Sequence, residues 1–386
     1  MKVYTAKPIY IDTNLLYQKE KDIMKKRLVS LMLVLSMAFG LVACGGTTEE
    51  APAEDAATEE EAPAELTEVT WNYGTSGNVL VTIANEKGYF EAEGIKITPV
   101  EATANADAMA LLASGKVNVV SNAGTSNPLQ QIAQGVDITV FGGHMIEGCM
   151  PVIALPDTEW NGVESFVGKK VAINPSYFAF TGAVKEAGFD PMNDVEWVIT
   201  SGYDEALVKL QQGEVDYALQ GTGQVEAVNT LVEQGDIKIV AFQSDIMENY
   251  SCCRMVAQTS WINENPDTVK AVLRALLRAQ SYYEANKEEA VTLHAAAIGA
   301  TESYVGAYMM DDEHYFVSVD PLANGVTRAW GILEDTGYIA EDCEIEIEDH
   351  INTALYEEAL AEATEKYGSE APEFYESQAA FFAENN

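Results

Sequence analysis

The chain has 386 residues, and its 22 Lys+Arg stand against 61 Asp+Glu for a formal net charge of −39. An apolar share of 47% builds a sizeable core and excludes wholesale disorder, while the length suits two domains. So acidic a chain repels phosphate backbones and anionic headgroups, which excludes nucleic-acid binding, and five Cys with four His are too scattered for a zinc ribbon or a disulfide scaffold.

The first elements in chain order are an address and a tether. Met24-Lys25-Lys26-Arg27 is a basic n-region, and Leu28 to Gly40 is an apolar run too short to span a bilayer. Leu41-Val42-Ala43-Cys44-Gly45 follows and looks like a bacterial lipobox, with cleavage before Cys44 and lipidation of that cysteine. Residues 24–43 are therefore read as a lipoprotein signal peptide, and 1–23 as an extension from a mis-assigned start. Residues 44–68 hold nine acids and no base, a self-repelling tether that cannot bury apolar surface.

From Val69 onward short apolar runs alternate with amphipathic stretches. Strands are expected at Val69–Tyr73, Lys96–Glu101, Val117–Ser121 and Ile138–Gly142, with helices at Val79–Glu86, Ala106–Ala113 and Pro128–Gln134 between them. A second series of strands follows at Lys170–Asn174, Val195–Thr200, Asp216–Gln220 and Lys238–Phe242, with helices at Thr181–Glu186 and Tyr203–Gln212. Two apolar connectors, Cys149–Leu155 and Cys252–Thr259, flank that series, so the chain is expected to cross to a second lobe and return. The pattern predicts an α/β fold with mostly parallel sheets: lobe 1 at 69–148, lobe 2 at 149–253, and a return with C-terminal helices at 254–386. Asn265-Pro266-Asp267 opens a helix running to about Ala285, with proline in the first turn where a missing N–H costs nothing. Further helices are expected near Glu288–Ala297, Thr353–Tyr367 and Phe374–Glu384, and 301–318 and 335–350 stay ambiguous.

Several segments carry a family pattern: Ala84 to Ile95 (ANEKGYFEAEGI), Leu111 to Val117 (LLASGKV), Gly168 to Ala172 (GKKVA) and Gln212 to Ala218 (QGEVDYA). With the lipobox and tether, the chain resembles a solute-binding lipoprotein of an ABC importer. The resemblance is to the nitrate/sulfonate/taurine-binding and thiamine-pyrimidine-precursor-binding (SsuA/THI5-like, NMT1-like) group. It implies a type II periplasmic-binding-protein fold, two lobes joined by a two-strand hinge, and closure of the hinge on a small organic solute. It also implies a cognate ABC permease; the lipobox adds a lipid anchor on Cys44 at the extracytoplasmic face of the cell membrane, the four dispersed His argue against a metal site, and a monomer without cofactor is expected.

In open α/β sheets ligands bind beyond the carboxyl ends of the strands. Seven loops qualify: Asn72–Asn78, Ala102–Asp107, Ser121–Asn127, Gly142–Glu147, Asn174–Gly182, Ser201–Glu205 and Gln220–Gly223. The ligand-binding candidates are Asn72, Tyr73, Thr75, Ser76, Asn122, Ala123, Gly124, Thr125, His144, Ser176, Tyr177, Phe178, Thr181, Tyr203, Asp204, Gln220 and Gly221. The same loops hold no Lys or Arg, and their aromatic faces favour a pyrimidine-like heterocycle over a bare anion, with sulfonate or taurine kept open. Plain helix capping competes with ligand contact for Ser76, Thr125 and Thr181. Arg254, on the return strand, either reaches the cleft or pairs with a nearby acid. Pairing of Cys149 with Cys252 or Cys253 stays open.

No GxxxxGK[ST], HExxH, GxSxG or CxxC occurs, so the chain is expected not to be an enzyme. The alternative is an enzyme on the same fold acting on a small heterocycle through His144 with a nearby carboxylate, Glu147 or Asp204.

Overall fold

A computed structural model describes residues 65–386 apart from 75, 76, 103 and 104. The signal segment, Cys44, most of the tether, Thr75 and Ser76 lie outside the described residues.

Among the described residues eleven strands form two sheets. The first contains β1 (Thr67–Asn72), β2 (Ile95–Pro99), β3 (Val119–Val120), β4 (Ile138–Gly148), β10 (Cys253–Gln258) and β11 (Tyr315–Val317), in the order β11-β4-β10-β3-β1-β2. The second contains β5 (Pro151–Ala154), β6 (Lys170–Ala172), β7 (Glu196–Trp197), β8 (Tyr217–Leu219) and β9 (Lys238–Phe242), in the order β7-β6-β8-β5-β9. Val69 and Trp71 of β1 point into the core, as the alternation in TEVTWN requires. Asn78 caps the helix Val79–Glu86 by accepting from Leu80 and Val81, and its amide donates to Ser121, which also receives the Trp71 indole N–H.

Mostly parallel sheets were expected, and both are mixed. In the first, β1 pairs parallel with β2 and β3, but β10 pairs antiparallel with β3 and β4, and β11 antiparallel with β4. In the second, β6 pairs parallel with β7 and β8, and β5 antiparallel with β8 and β9. Helical crossovers return the chain to the same edge and give parallel pairs. The strands next to the passages between sheets enter from the opposite edge and give antiparallel ones.

The expected strand Ile138–Gly142 extends to Gly148, so the segment Gly142–Glu147 is part of β4 and not a loop. Its two glycines serve close packing. A Cβ on Gly142 would stand 2.3 Å from Met255 Cε, and one on Gly143 would stand 2.5 Å from the Asp320 carbonyl oxygen. The chain leaves the first sheet at Cys149-Met150 and returns between Phe242 and Cys253. These two passages are bonded to each other: the Gly148 N–H donates to the Tyr250 hydroxyl (2.7 Å), Asn249 N–H to Glu147 Oε1 (3.0 Å), and Cys252 N–H to the Ile146 carbonyl (2.9 Å). Cys149, Asn249 and Ser251 hold left-handed φ values of 47°, 48° and 52°, a conformation L-residues avoid unless their surroundings over-determine it.

The helix Pro266–Ala285 buries Val269, Val272, Leu273, Leu276, Leu277 and Tyr283 on one face, the spacing read from the sequence. The ambiguous stretch 301–318 resolves into a helix, Glu302–Met309, and the edge strand β11. In 335–350 a short 3₁₀ turn, Ile347–His350, follows a helix that ends at Asp335. Glu93 fastens the C-terminal helices to the first sheet: its carboxylate accepts from Arg274, Lys366 (2.7 Å) and the Tyr367 hydroxyl (2.5 Å). No helix among the described residues is long and apolar enough to cross a membrane.

Candidate functional site

The cleft is built from chain ends that converge between the two sheets. Asn72 closes β1, and Asn122–Asn127 follow β3 and begin the helix Ser126–Ala133. From the second sheet come Tyr177 and Phe178 at the start of the helix Phe178–Glu186, Tyr203 at the start of Tyr203–Gln211, and Gly221 to Gln224 after β8. Gln243 follows β9, and Met145, Met150, Tyr250, Cys252 and Cys253 belong to the passages and their flanking strands. Together with Gly74, Ala102 and Tyr304 they enclose about 330 Å³, within the range of small-molecule sites.

The chemistry of this wall is uniform. Among the described residues that line it there is no Lys, Arg, His, Asp or Glu. Side-chain amides come from Asn72, Asn122, Asn127, Gln224 and Gln243, and phenols from Tyr177, Tyr203, Tyr250 and Tyr304. Gln243 is buried, and its Oε1 accepts no hydrogen bond among the described residues. A buried amide oxygen left so is costly, by about 1–3 kcal/mol, until a donor arrives.

Other groups hold the wall in place. Tyr177 and Tyr203 hydroxyls meet at 3.2 Å, and burial pushes the Tyr203 phenol well above its ordinary value. The Tyr203 ring lies over Gly221, where a Cβ would stand 2.5 Å from Cε2. Gln220 does not line the cavity; its amide donates to the Tyr203 carbonyl (3.1 Å) and fixes the start of that helix. Ser126 donates to the Ser176 carbonyl at 2.6 Å, joining the two sides. The Asn122 amide donates to the Gly77 carbonyl (3.1 Å) and its oxygen receives the Cys253 thiol (3.3 Å).

Of the residues read from the sequence, Asn72, Asn122, Ala123, Gly124, Thr125, Tyr177, Phe178, Tyr203 and Gly221 come together on the cavity wall. Tyr73, Ser176, Thr181, Asp204 and Gln220 are not among its lining. Tyr73 packs against the core of the first sheet, Thr181 bonds back to the Pro175 carbonyl within its own helix start, and Asp204 is exposed. Thr125 does not cap its helix; its hydroxyl donates to the Ser251 carbonyl on the return passage. His144 is also absent from the lining. It lies in β4 with both ring nitrogens buried and unpartnered, and burial takes its pKa down to about 3, so the ring is neutral. Arg254 turns away from the cavity and donates to the main-chain carbonyls of Asp320 (2.7 Å) and Met145 (2.6 Å). Cys149, Cys252, Cys253 and Cys343 are free thiols. Among the described residues no group of three or more His, Cys, Asp or Glu converges as a metal site.

Sequence reasoning missed Gln224, Gln243, Tyr250, Tyr304, the two methionines and the cysteine pair, while Gly74, Ser126, Asn127, Thr222 and Gly223 lie in loops it named without singling them out. Gln243 had a signal, because it follows directly on an expected strand, Lys238–Phe242, at its carboxyl end. Gln224 directly follows a named loop, and the cysteine pair stands at the start of a connector; for Tyr250, Tyr304 and the methionines, which depend on how the passages pack, the sequence carries none.

A family model described as "NMT1/THI5 like" matches residues 78–290. Among curated relatives, the 4-amino-5-hydroxymethyl-2-methylpyrimidine phosphate synthase of Schizosaccharomyces pombe is 27% identical over 209 residues, 51% of this chain and 59% of that protein. The protein of the same name from Candida albicans is 28% identical over 241 residues, 55% of this chain and 65% of that one. The chain thus spans less than two thirds of the length of these relatives. Among solved structures, the periplasmic aliphatic sulphonate binding protein SsuA from Escherichia coli superposes with a TM-score of 0.61 at 17% identity, over 74% of this chain and 92% of that one. That likeness shows the fold, a type II periplasmic-binding-protein fold. The expectation that the chain is not an enzyme is overturned, because the curated relatives carry the name of an enzyme. The absence of familiar catalytic motifs excluded only the chemistries those motifs serve.

Proposed function

We propose that this chain, which belongs to the NMT1/THI5-like family, holds a small neutral heterocycle of the aminopyrimidine class in the cleft between its sheets. The observation that carries the reading is the uncharged wall of amides and phenols around the unpartnered Gln243 Oε1. An exocyclic amine on a planar ring donates to that oxygen once the Gln243 amide turns it toward the cavity, and ring nitrogens accept from side-chain amides and hydroxyls. Nitrate or a sulfonate would find no cationic clamp among these residues and would depend on main-chain N–H groups alone.

Two uses of such a site follow. Chemical turnover of the heterocycle is supported by the relatives, which are named for a pyrimidine phosphate. Capture for import is supported by the lipobox-like segment ending at Cys44 and by the acidic tether. In that use residues 69–148 and 254–386 form one lobe and 149–253 the other, and they close on the solute about the paired passages before delivery to an ABC permease. The left-handed residues at both passages support a bend there.

The test is thermal unfolding of the full chain with 4-amino-5-hydroxymethyl-2-methylpyrimidine, taurine and nitrate, followed by mass spectrometry of the recovered compound. A ligand at 100 times its Kd stabilises the native state by about 2.7 kcal/mol, a readable shift. Stabilisation by the pyrimidine alone is the expected result. Stabilisation by taurine or nitrate alone refutes the reading of the wall, and recovery of the pyrimidine unchanged refutes its turnover.

A further inference from the structure

Neighbouring residues in a regular strand point to opposite faces. Cys252 and Cys253 do not: both line the cavity, with their sulfurs 3.7 Å apart. The cause is local. Cys252 still belongs to the return passage, directly after left-handed Ser251, and β10 begins at Cys253 with a shift of register before Arg254.

The two thiols differ. Cys252 is half-buried and open to the cavity, while Cys253 is buried against Asn122 Oδ1. Either thiol can donate across that 3.7 Å contact; when Cys253 turns its one proton from Asn122 to the Cys252 sulfur, that bond, with help from Tyr250 and the Arg254 charge, holds the Cys252 thiol below its ordinary value against burial, and the same contact together with burial raises Cys253. One sulfur is thus set to attack and its neighbour to follow. Cys149 and Cys343 do not line the cavity; Cys149 is buried beside Asp311 and burial raises its thiol.

The geometry points to a modification site, the adjacent dithiol Cys252–Cys253, whose substrate is a low-molecular-weight disulfide that enters the cavity. The Cys252 thiolate attacks one sulfur of the disulfide RSSR, a Cys252–SR bond forms, and RS⁻ leaves and takes up the proton that Cys252 gave up. Cys253 then attacks the Cys252 sulfur, the Cys252–SR bond breaks, and the second RS⁻ leaves with the proton of Cys253. The protein dithiol has lost two electrons and two protons, and RSSR has become two RSH. The new bond withdraws the thiol donor from Asn122 and distorts the start of β10. Its effect on solute binding rests on the reading of the cleft given above; the exchange itself does not.

The test exposes the reduced full chain to the small uncharged disulfide 2-hydroxyethyl disulfide, quenches with acid and maps the cysteines by peptide mass spectrometry. In the wild type the peptide holding Cys252 and Cys253 loses two hydrogens before Cys149 or Cys343 is touched. The Cys253→Ser variant stops with a 2-mercaptoethanol adduct retained on Cys252, and Cys252→Ser leaves Cys253 unmodified. A bridging trivalent arsenical, phenylarsine oxide, on the wild type shields both cysteines from alkylation, so the claim stays testable should either variant misfold. First modification at Cys149 or Cys343, a Cys149–Cys252 bond, or no shielding by the arsenical overturns the assignment. Oxidation is also expected to weaken binding of the aminopyrimidine at least tenfold, reversibly with dithiothreitol; an unchanged affinity in mapped, oxidised protein overturns the coupling alone.

Discussion

Arg254→Met tests whether the buried guanidinium is a staple or a cleft cation. Arg254 is 1% exposed, and its two N–H groups donate at 2.7 and 2.6 Å to main-chain carbonyls of Asp320 and Met145, drawing β10, β4 and the segment before the helix Ala323–Asp335 together. Burial brings its pKa down to about 10, which leaves it charged near neutrality. Methionine removes two charge-assisted bonds, each worth about 1.5–3 kcal/mol, and strands two carbonyls and the buried Asp320 carboxyl. Release of the guanidinium from its desolvated site offsets part of that loss. A net destabilisation of about 3 kcal/mol is expected. With a urea m-value of ~3 kcal/mol/M for a body of this size, the unfolding midpoint read by tryptophan fluorescence falls by about 1 M. Arg254→Lys keeps the charge but not the fork, so it falls between the two. A loss under about 1 kcal/mol refutes the staple. Solute affinity in native Arg254→Met is expected to stay within about twofold, and a larger fall means the guanidinium reaches the ligand.

Gly143→Ala places a Cβ 2.5 and 2.6 Å from the Asp320 and Ser318 carbonyl oxygens, main-chain atoms that cannot swing aside. A loss of about 3 kcal/mol or more in thermal unfolding is expected, and wild-type stability would show that the strands separate easily. The Glu93 side chain is largely covered, which alone would raise its pKa, but hydrogen bonds from Lys366, Tyr367 and Arg274 hold it below its ordinary value. Its contribution, about 2 kcal/mol after screening of the exposed lysine, is therefore complete above about pH 4.3 and is lost as pH falls through the depressed value. The stability gap between wild type and Glu93→Gln should narrow in urea titrations below that pH; a constant gap counts against the network. Gln243→Leu removes the unpartnered acceptor, so affinity for the aminopyrimidine in calorimetry is expected to drop about tenfold with stability kept or raised, and unchanged affinity removes Gln243 from the site.

Much of the fold was legible because local signals and tertiary packing agree. Asn78 before Val79–Glu86 and Pro266 before its helix are capping chemistry, and β9 lies at Lys238–Phe242, where its apolar run put it. Gly142-Gly143 shows where such reading fails. A glycine pair signals a turn and a close approach equally well, and the groups that decide here, Met255 and Asp320, lie more than a hundred residues away. Strand direction failed for a related reason, since a connector's apolar run does not say from which edge it enters a sheet. On the cleft, Asn72, Asn122, Tyr177, Tyr203 and Gly221 were accessible from loop position alone. His144 shares its segment with the cavity-lining Met145, and only the alternation along β4 separates them.

The uncharged wall has a kinetic consequence. The chain carries a formal charge of −39, yet the described residues around the cavity present no ionised group to an entering molecule. A neutral solute feels none of the surrounding field, so its association rate is independent of ionic strength. An anion is slowed by repulsion that reaches about 8 Å at physiological salt and eases as salt is added. Discrimination against anions therefore begins in the solvent, before any contact is made, and salt-jump association rates would separate it from selection at the wall.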